Sequence, residues 1–225
     1  MTRLRANFHK GYAMDGIVNL KVREYVENLV SFPEFSDMET YAKANHVPIV
    51  MKDAGEFLRF IVSTAKPVEI LELGTAIGYS SILMARSSPT SSIVTVERSE
   101  EMRDMAEENI GKYGLGGRIR VVLSECDIFL KTSEKLFDFI FIDAGKSHYQ
   151  EYLDLCLPRL SHSGMILCDN VLYQGLVAYE TVARKHRTNV TKLREFMAYV
   201  HGRDDLITST LTVGDGMLLI RRKEL

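Results

Sequence analysis

The chain has 225 residues, 46% of them hydrophobic and 26% charged, with a formal net charge of −2. That is enough apolar material for one medium domain with a sizeable core, so a single domain over residues 1–225 is expected. The near-neutral balance gives no overall basic face for nucleic acid. No apolar run is long enough to span a bilayer, and the basic stretch 1–10 lacks the features of a secretory signal, so a cytoplasmic location is expected. Cys126, Cys156 and Cys168 sit in or beside apolar segments, odd in number and without metal-site spacing, and are expected to be reduced and buried.

In chain order, Leu20, Val22, Tyr25, Val26 and Leu29 recur at helical spacing over residues 19–31, stopping before Pro33. Two more helices are expected over 36–45, capped by Ser36 or Asp37, and over 52–65, completing a helical front section, residues 1–66. A strand over 68–73, a glycine turn and a helix over 79–86 open the core, residues 67–225. A strand at 93–97, a helix at 100–113 and strands at 119–123 and 137–143 follow. A helix at 149–160, a buried strand at 165–168 and a helix at 188–201 come next. Segments 207–213 and 217–221 flank Gly214-Asp215-Gly216 as a hairpin, which makes the last strand antiparallel. Continuous apolar strands alternating with helices imply a mostly parallel, seven-stranded Rossmann-like sheet covered on both faces, with ligands at the carboxyl ends of its strands.

Glu72, Gly74, Ala76 and Gly78 fall where the first strand turns into a helix, and glycines there let backbone approach a ligand closely. Glu97 ends the next strand, where a carboxylate can hydrogen-bond both hydroxyls of a ribose. An ordinary turn followed by a solvated glutamate gives the same residues, but the coincidence of strand, glycines and acid favours a nucleoside site. The turn lacks the Gly-x-Gly-x-x-Gly spacing that makes room for a pyrophosphate, which argues against NAD.

The run Ile70-Leu-Glu-Leu-Gly-Thr-Ala-Ile-Gly-Tyr-Ser80 resembles the S-adenosylmethionine loop of class I methyltransferases, specifically the catechol and caffeoyl-CoA O-methyltransferase branch. The resemblance extends from about His46 to the C-terminus. It implies that Glu72, Gly74 and Ser80 face the methionine portion of the cofactor, with Val50 and Asp143 nearby, Glu97 on the ribose and Glu125 near the adenine. The family more commonly carries aspartate at that last position.

Two very apolar strands end in oxygen ligands, Asp143 on one and Asp169-Asn170 on the other, and neighbouring strands would bring these ends together. Two carboxylates and an amide oxygen suit a hard cation such as Mg²⁺ or Mn²⁺ rather than zinc. Such an ion acidifies a hydroxyl and orients a substrate with two adjacent oxygens. Lys146 stands three residues beyond Asp143; a lysine beside a cation and partly withdrawn from water can accept a proton, and the family's Asp-x-x-Lys pattern implies the catalytic base here. Helix capping by each aspartate and a solvated lysine are the alternatives. Tyr173 and Leu176 are candidates for a substrate wall.

Within the family, His46-Val-Pro-Ile49, Asp169-Asn-Val-Leu-Tyr-Gln-Gly-Leu-Val177 and Val213-Gly-Asp-Gly216 are similar to bacterial tRNA 5-hydroxyuridine methyltransferases, which make 5-methoxyuridine at the wobble position. That resemblance implies a tRNA anticodon partner. Arg184, Lys185 and Arg187 are then candidate phosphate contacts, with Arg3, Arg5 and Lys10 a second basic group. A small-molecule diol of the catechol type is the alternative acceptor, and a non-catalytic protein that keeps the fold to bind RNA or a partner is a third reading. Relatives in the family are usually homodimers, so an interface is expected from the front helices with helix 188–201.

Overall fold

The computed structural model describes residues 18–223. Three helices come first: α1 (Leu20–Leu29), α2 (Ser36–Asn45) and α3 (Lys52–Ala65). The core then alternates β1 (Glu69–Leu73), α4 (Tyr79–Ser87), β2 (Ser92–Glu97), α5 (Glu100–Lys112), β3 (Ile119–Leu123), α6 (Cys126–Thr132) and β4 (Phe137–Ile142). It continues through α7 (Tyr149–Cys156), β5 (Leu160–Cys168), α8 (Arg187–His201), β6 (Leu206–Leu211) and β7 (Met217–Arg222).

The strands form one seven-stranded sheet in the order β3-β2-β1-β4-β5-β7-β6. The first five are mutually parallel where they pair, whereas β7 runs antiparallel to both β5 and β6. The last strand is therefore antiparallel, as the hairpin signal predicts. Strand order reverses between β1 and β4, the switch point at whose carboxyl end a doubly wound sheet opens a crevice.

Alternation along the strands divides the core between the two faces. Ile70, Phe139, Phe141 and Leu167 pack with Phe35, Leu58, Val62 and Ile82 on one side. Leu71, Ile140, Ile142 and Ile166 pack with Tyr149, Leu153, Leu193 and Phe196 on the other. The front helices share the first cluster through Phe35, Met38, Ala42, Ala54 and Leu58, so they close one face of the sheet. The three cysteines are buried and free. Among the described residues no helix is long and apolar enough to cross a membrane.

Several boundaries differ from the sequence reading for local reasons. Helix α2 is entered from a single 3-10 turn, Pro33–Phe35; its cap residue is Phe35, so neither Ser36 nor Asp37 caps it. Helix α6 was not expected, since seven residues are too few to display a periodicity. Helix α7 stops at Cys156, two residues before Pro158, and a 3-10 turn, Leu157–Arg159, leads into β5. That strand starts at Leu160 because it pairs with Phe137 across a register shift before resuming at Met165.

Main-chain hydrogen bonds carry this framework past the strand ends. Asp143 N donates to Leu73 O at 2.9 Å, and Asp169 N donates to Ile142 O at 3.0 Å. Beneath them the buried Tyr149 hydroxyl donates to Asp169 O at 2.8 Å, and its ring stands edge-on to Phe196 at 5.6 Å between centroids. Tyr149→Phe should keep the ring packing but leave that carbonyl without its donor. A loss of about 1–2 kcal/mol in urea unfolding is expected, with an unchanged far-UV circular dichroism spectrum.

Candidate active site

A cavity of about 560 Å³ opens above the carboxyl ends of β1, β2 and β4, at the switch point. Val50, Gly74, Ser80, Glu97, Glu125, Asp143, Lys146, Asp169 and Asn170 all line it. Of the residues expected to hold the cofactor and a metal, all but Glu72 are thus brought to one cleft.

At the nucleoside end, Gly74 has φ +98°, and a Cβ there would lie 2.3 Å from the Asp143 carbonyl oxygen. Only glycine lets the turn pass that close to β4. The turn in turn orients Glu97: Ala76 N donates to its Oε2 at 2.9 Å, while Arg98 N and Ser99 N donate to its Oε1 at 3.0 and 2.9 Å. The carboxylate is fixed by backbone before any ligand arrives, as a ribose acceptor requires. Glu125 is exposed at the head of α6, on the far wall of the same cavity.

Glu72 is fully buried and is not among the residues that line the cavity. Its Oε1 accepts from Ser80 Oγ at 2.5 Å, and its Oε2 accepts from Thr95 Oγ1 at 2.6 Å and from Ser81 Oγ. Glu72 therefore acts on the cleft through Ser80, which does line it. Burial pushes its carboxyl up to about 7, more than the three hydroxyls lower it. Thr95 and Ser81 escaped the sequence reading; the available signal was a threonine inside the apolar strand β2, in register with Glu72 on β1.

At the other end, β4 and β5 deliver Asp143 and Asp169 side by side. Asn170 follows with φ +56°, and its N–H donates to Asp169 Oδ1 at 2.7 Å. Lys146 Nζ donates to Asn170 Oδ1 at 2.8 Å. Burial raises both carboxyls above the ordinary carboxylate range, and the charge of Asp143 raises Asp169 further. Two crowded anions with an amide oxygen beside them fit a hard divalent cation, whose charge would offset that repulsion. Among the described residues no group of three His, Cys, Asp or Glu gathers for a metal.

A second cavity, about 750 Å³, meets the first at Asn170 and is lined by Arg23, Leu176, Tyr179, His186 and Asp215 among others. Leu176 forms part of its wall, whereas the Tyr173 hydroxyl lies 3.0 Å from His186 Nδ1 and accepts from Asn189 Nδ2 at 3.3 Å. Arg184, Lys185 and Arg187 are exposed beside Ala183 and His186, which line this cavity. Arg3, Arg5 and Lys10 lie outside the described residues. A groove of about 770 Å³ between α1 and α3 lies away from the strand ends and gathers none of the site residues.

A glycine turn at the switch-point cleft, a carboxylate held by three backbone N–H groups and a cluster of oxygen donors at the cleft's other end fit a class I S-adenosylmethionine-dependent methyltransferase. Residues 25–223 match the O-methyltransferase family, and the chain belongs to it. It is 34% identical to a catechol O-methyltransferase of Niastella koreensis over 169 residues, 71% of this chain and 76% of that one. With a caffeoyl-CoA O-methyltransferase of Populus kitakamiensis it shares 30% identity over 179 residues, 76% of each chain. The SAH-bound methyltransferase PaMTH1 of Podospora anserina superposes with a TM-score of 0.81 at 29% identity, covering 91% of this chain and 94% of that one.

The Glu72 carboxyl yields a pH test. Its folded value of about 7 exceeds the ordinary 4.5, so the folded state holds this proton more tightly than the unfolded chain. The resulting stabilisation is complete below about pH 4.5 and lost as pH rises through 7, a change on the order of 3 kcal/mol. Glu72→Gln removes that dependence while keeping an acceptor for the hydroxyls. The ligand-free variant should melt above wild type at pH 8, with the difference shrinking toward pH 5; a pH-independent difference would contradict the assignment.

Proposed function

We propose that this O-methyltransferase is metal-dependent and acts on the 5-hydroxyl of 5-hydroxyuridine at the tRNA wobble position, yielding 5-methoxyuridine. The observation that carries the metal requirement is the convergence of Asp143, Asp169 and Asn170 with Lys146 where the cofactor cleft opens into the second cavity. These three oxygen donors would hold Mg²⁺ or Mn²⁺, which when bound supplies acidity to a coordinated hydroxyl and a template for a vicinal oxygen pair.

Methyl transfer forms an oxygen–carbon bond, breaks the sulfonium–carbon bond and must dispose of the hydroxyl proton. Lys146 Nζ, held against Asn170, is the group placed to take that proton. Glu97 and the Gly74 turn fix the nucleoside portion of the donor, and Ser80, backed by Glu72, fixes its amino-acid end.

Two observations support the nucleoside acceptor. The 5-hydroxyl and 4-carbonyl of 5-hydroxyuracil form a vicinal oxygen pair, like the two oxygens of a catechol. The basic run Arg184, Lys185 and Arg187 stands exposed at the rim of the second cavity, where a splayed base would bring its phosphates. A small-molecule diol would need no such rim. We further infer a homodimer built on α1 rather than α8: Val22, Tyr25 and Leu29 on α1 and Phe60 on α3 are exposed, whereas α8 spends Val190, Leu193, Phe196 and Val200 on the core.

The deciding assay incubates pure protein and S-adenosylmethionine with tRNA bearing 5-hydroxyuridine, alongside a catechol, with and without Mg²⁺, and reads nucleosides by mass spectrometry. Methoxyuridine formed only with metal is expected; methylated catechol with untouched tRNA would identify a small-molecule enzyme. Lys146→Ala should lower kcat by about 10²–10⁴-fold. Replacing Arg184, Lys185 and Arg187 together by alanine should weaken tRNA binding and flatten its salt dependence without changing cofactor affinity.

A further inference from the structure

The turn between β6 and β7 ties the segment after Asn170 to the front helices. Toward the metal side, Gly216 O accepts from Val171 N at 3.0 Å, Asp215 O accepts from Leu172 N at 3.1 Å, and Asp215 Oδ1 accepts from Gln174 N. Toward the front helices, Gly214 N donates to Asp53 Oδ2 at 2.9 Å, and Gly214 O accepts from Arg23 Nη2 at 3.4 Å. Asp53 lies in the first turn of α3, directly after the loop that presents Val50 to the cofactor cavity.

The segment gripped by this turn is a strained one. Asn170, Tyr173 and Gln174 have φ of +56°, +45° and +56°, in the left-handed region that non-glycine residues rarely adopt. Such conformations persist only where surrounding contacts over-determine them. The grip is also tight: a Cβ on Gly216, itself at φ +88°, would lie 2.4 Å from Leu172 Cγ, and one on Gly214 would lie 2.8 Å from Ala54 Cβ.

We propose that Gly214–Gly216 is a positioning clamp, in which Asp215 holds the Asn170 loop in its left-handed backbone and Asp53 anchors the clamp to the first turn of α3. Asn170 meets Lys146 at 2.8 Å because the peptide groups directly after it are fixed from this turn. Asp215 is thus a positioning residue: it reaches the reaction through Asn170 and Lys146, and its carboxyl forms part of the second cavity's wall. The inference rests on the reading that Asn170 and Lys146 serve the acceptor side.

The test compares full-length wild type with Asp215→Ala, Asp215→Asn and Asp53→Asn. It measures kcat on 5-hydroxyuridine tRNA, SAH affinity by calorimetry, and amide hydrogen exchange of the peptide spanning Val171 to Ala178. Asp215→Ala should lower kcat by about 10–100-fold, keep SAH affinity within about twofold and speed exchange in that peptide. Asp215→Asn, whose amide oxygen can still accept from Gln174 N, should recover most of the rate. Asp53→Asn can accept from Ala54 N or Gly214 N through its one oxygen but not through both, and should fall between. An alanine variant with wild-type kcat overturns the clamp, as does an asparagine variant as slow as the alanine one, since charge and not grip would then matter. If Asp215→Ala does not fold, the rate and exchange of Asp53→Asn decide the question. A wild type that methylates no acceptor sinks the functional reading instead, and the clamp then stands or falls on the exchange data alone.

Discussion

Everything at the active centre depends on the pairing of β4 with β1 on one edge and β5 on the other. That register sets Leu73 beside Ile142 and Ile142 beside Cys168, and the next main-chain bonds in the ladder place Asp143 and Asp169 together at the mouth. Strands this apolar can only be buried, so the fold carries one carboxyl, Asp169, out of water and leaves the other, Asp143, half-buried beside it. Charges there are costly unless something offsets them. A bound cation would relieve the same crowding that raises both carboxyls, and Lys146 and Asn170 add to the corner's polar lining. Apolar strands and polar ends are one design: the first guarantee the position of the second.

Backbone precision matters as much as side-chain chemistry. Gly74 passes so close to the Asp143 carbonyl that its lack of a side chain is needed by the sheet as well as by the cofactor. Glu97 is aimed by three backbone N–H groups, and Asn170 is held in left-handed backbone by a turn far away in sequence. Pre-orientation of this kind is what distinguishes a working cleft from a collection of suitable residues, because little reorganisation remains when a ligand binds.

Much of this was legible in the sequence, and the reasons are specific. Long apolar strands broken by glycine or acid, as at Leu73-Gly74 and Ile142-Asp143, announce both the sheet and the ends where ligands bind. Residues at those ends, Gly74, Glu97, Asp143, Asp169 and Asn170, were therefore readable one by one. What escaped is what depends on three-dimensional neighbours. The motif marks Glu72, but not the hydroxyls from β2 and α4 that its carboxylate accepts from. The position of Tyr173 after Asn170 is plain in the sequence, but the engagement of its hydroxyl by His186 and Asn189 is not. The tie from Asp53 to Gly214 crosses 161 positions, and no local pattern could announce it.

The claim at the centre of this account is that Asp143, Asp169 and Asn170 form a cation-binding corner beside the cofactor cleft. Titration of Mn²⁺ into the SAH-saturated protein, followed by electron paramagnetic resonance of the free ion, tests it without any assumption about the acceptor. Uptake of a single Mn²⁺ per chain, competed by Mg²⁺ and abolished in Asp169→Ala while SAH still binds, is the predicted result. No uptake by the wild-type protein, or undiminished uptake by the variant, would contradict it.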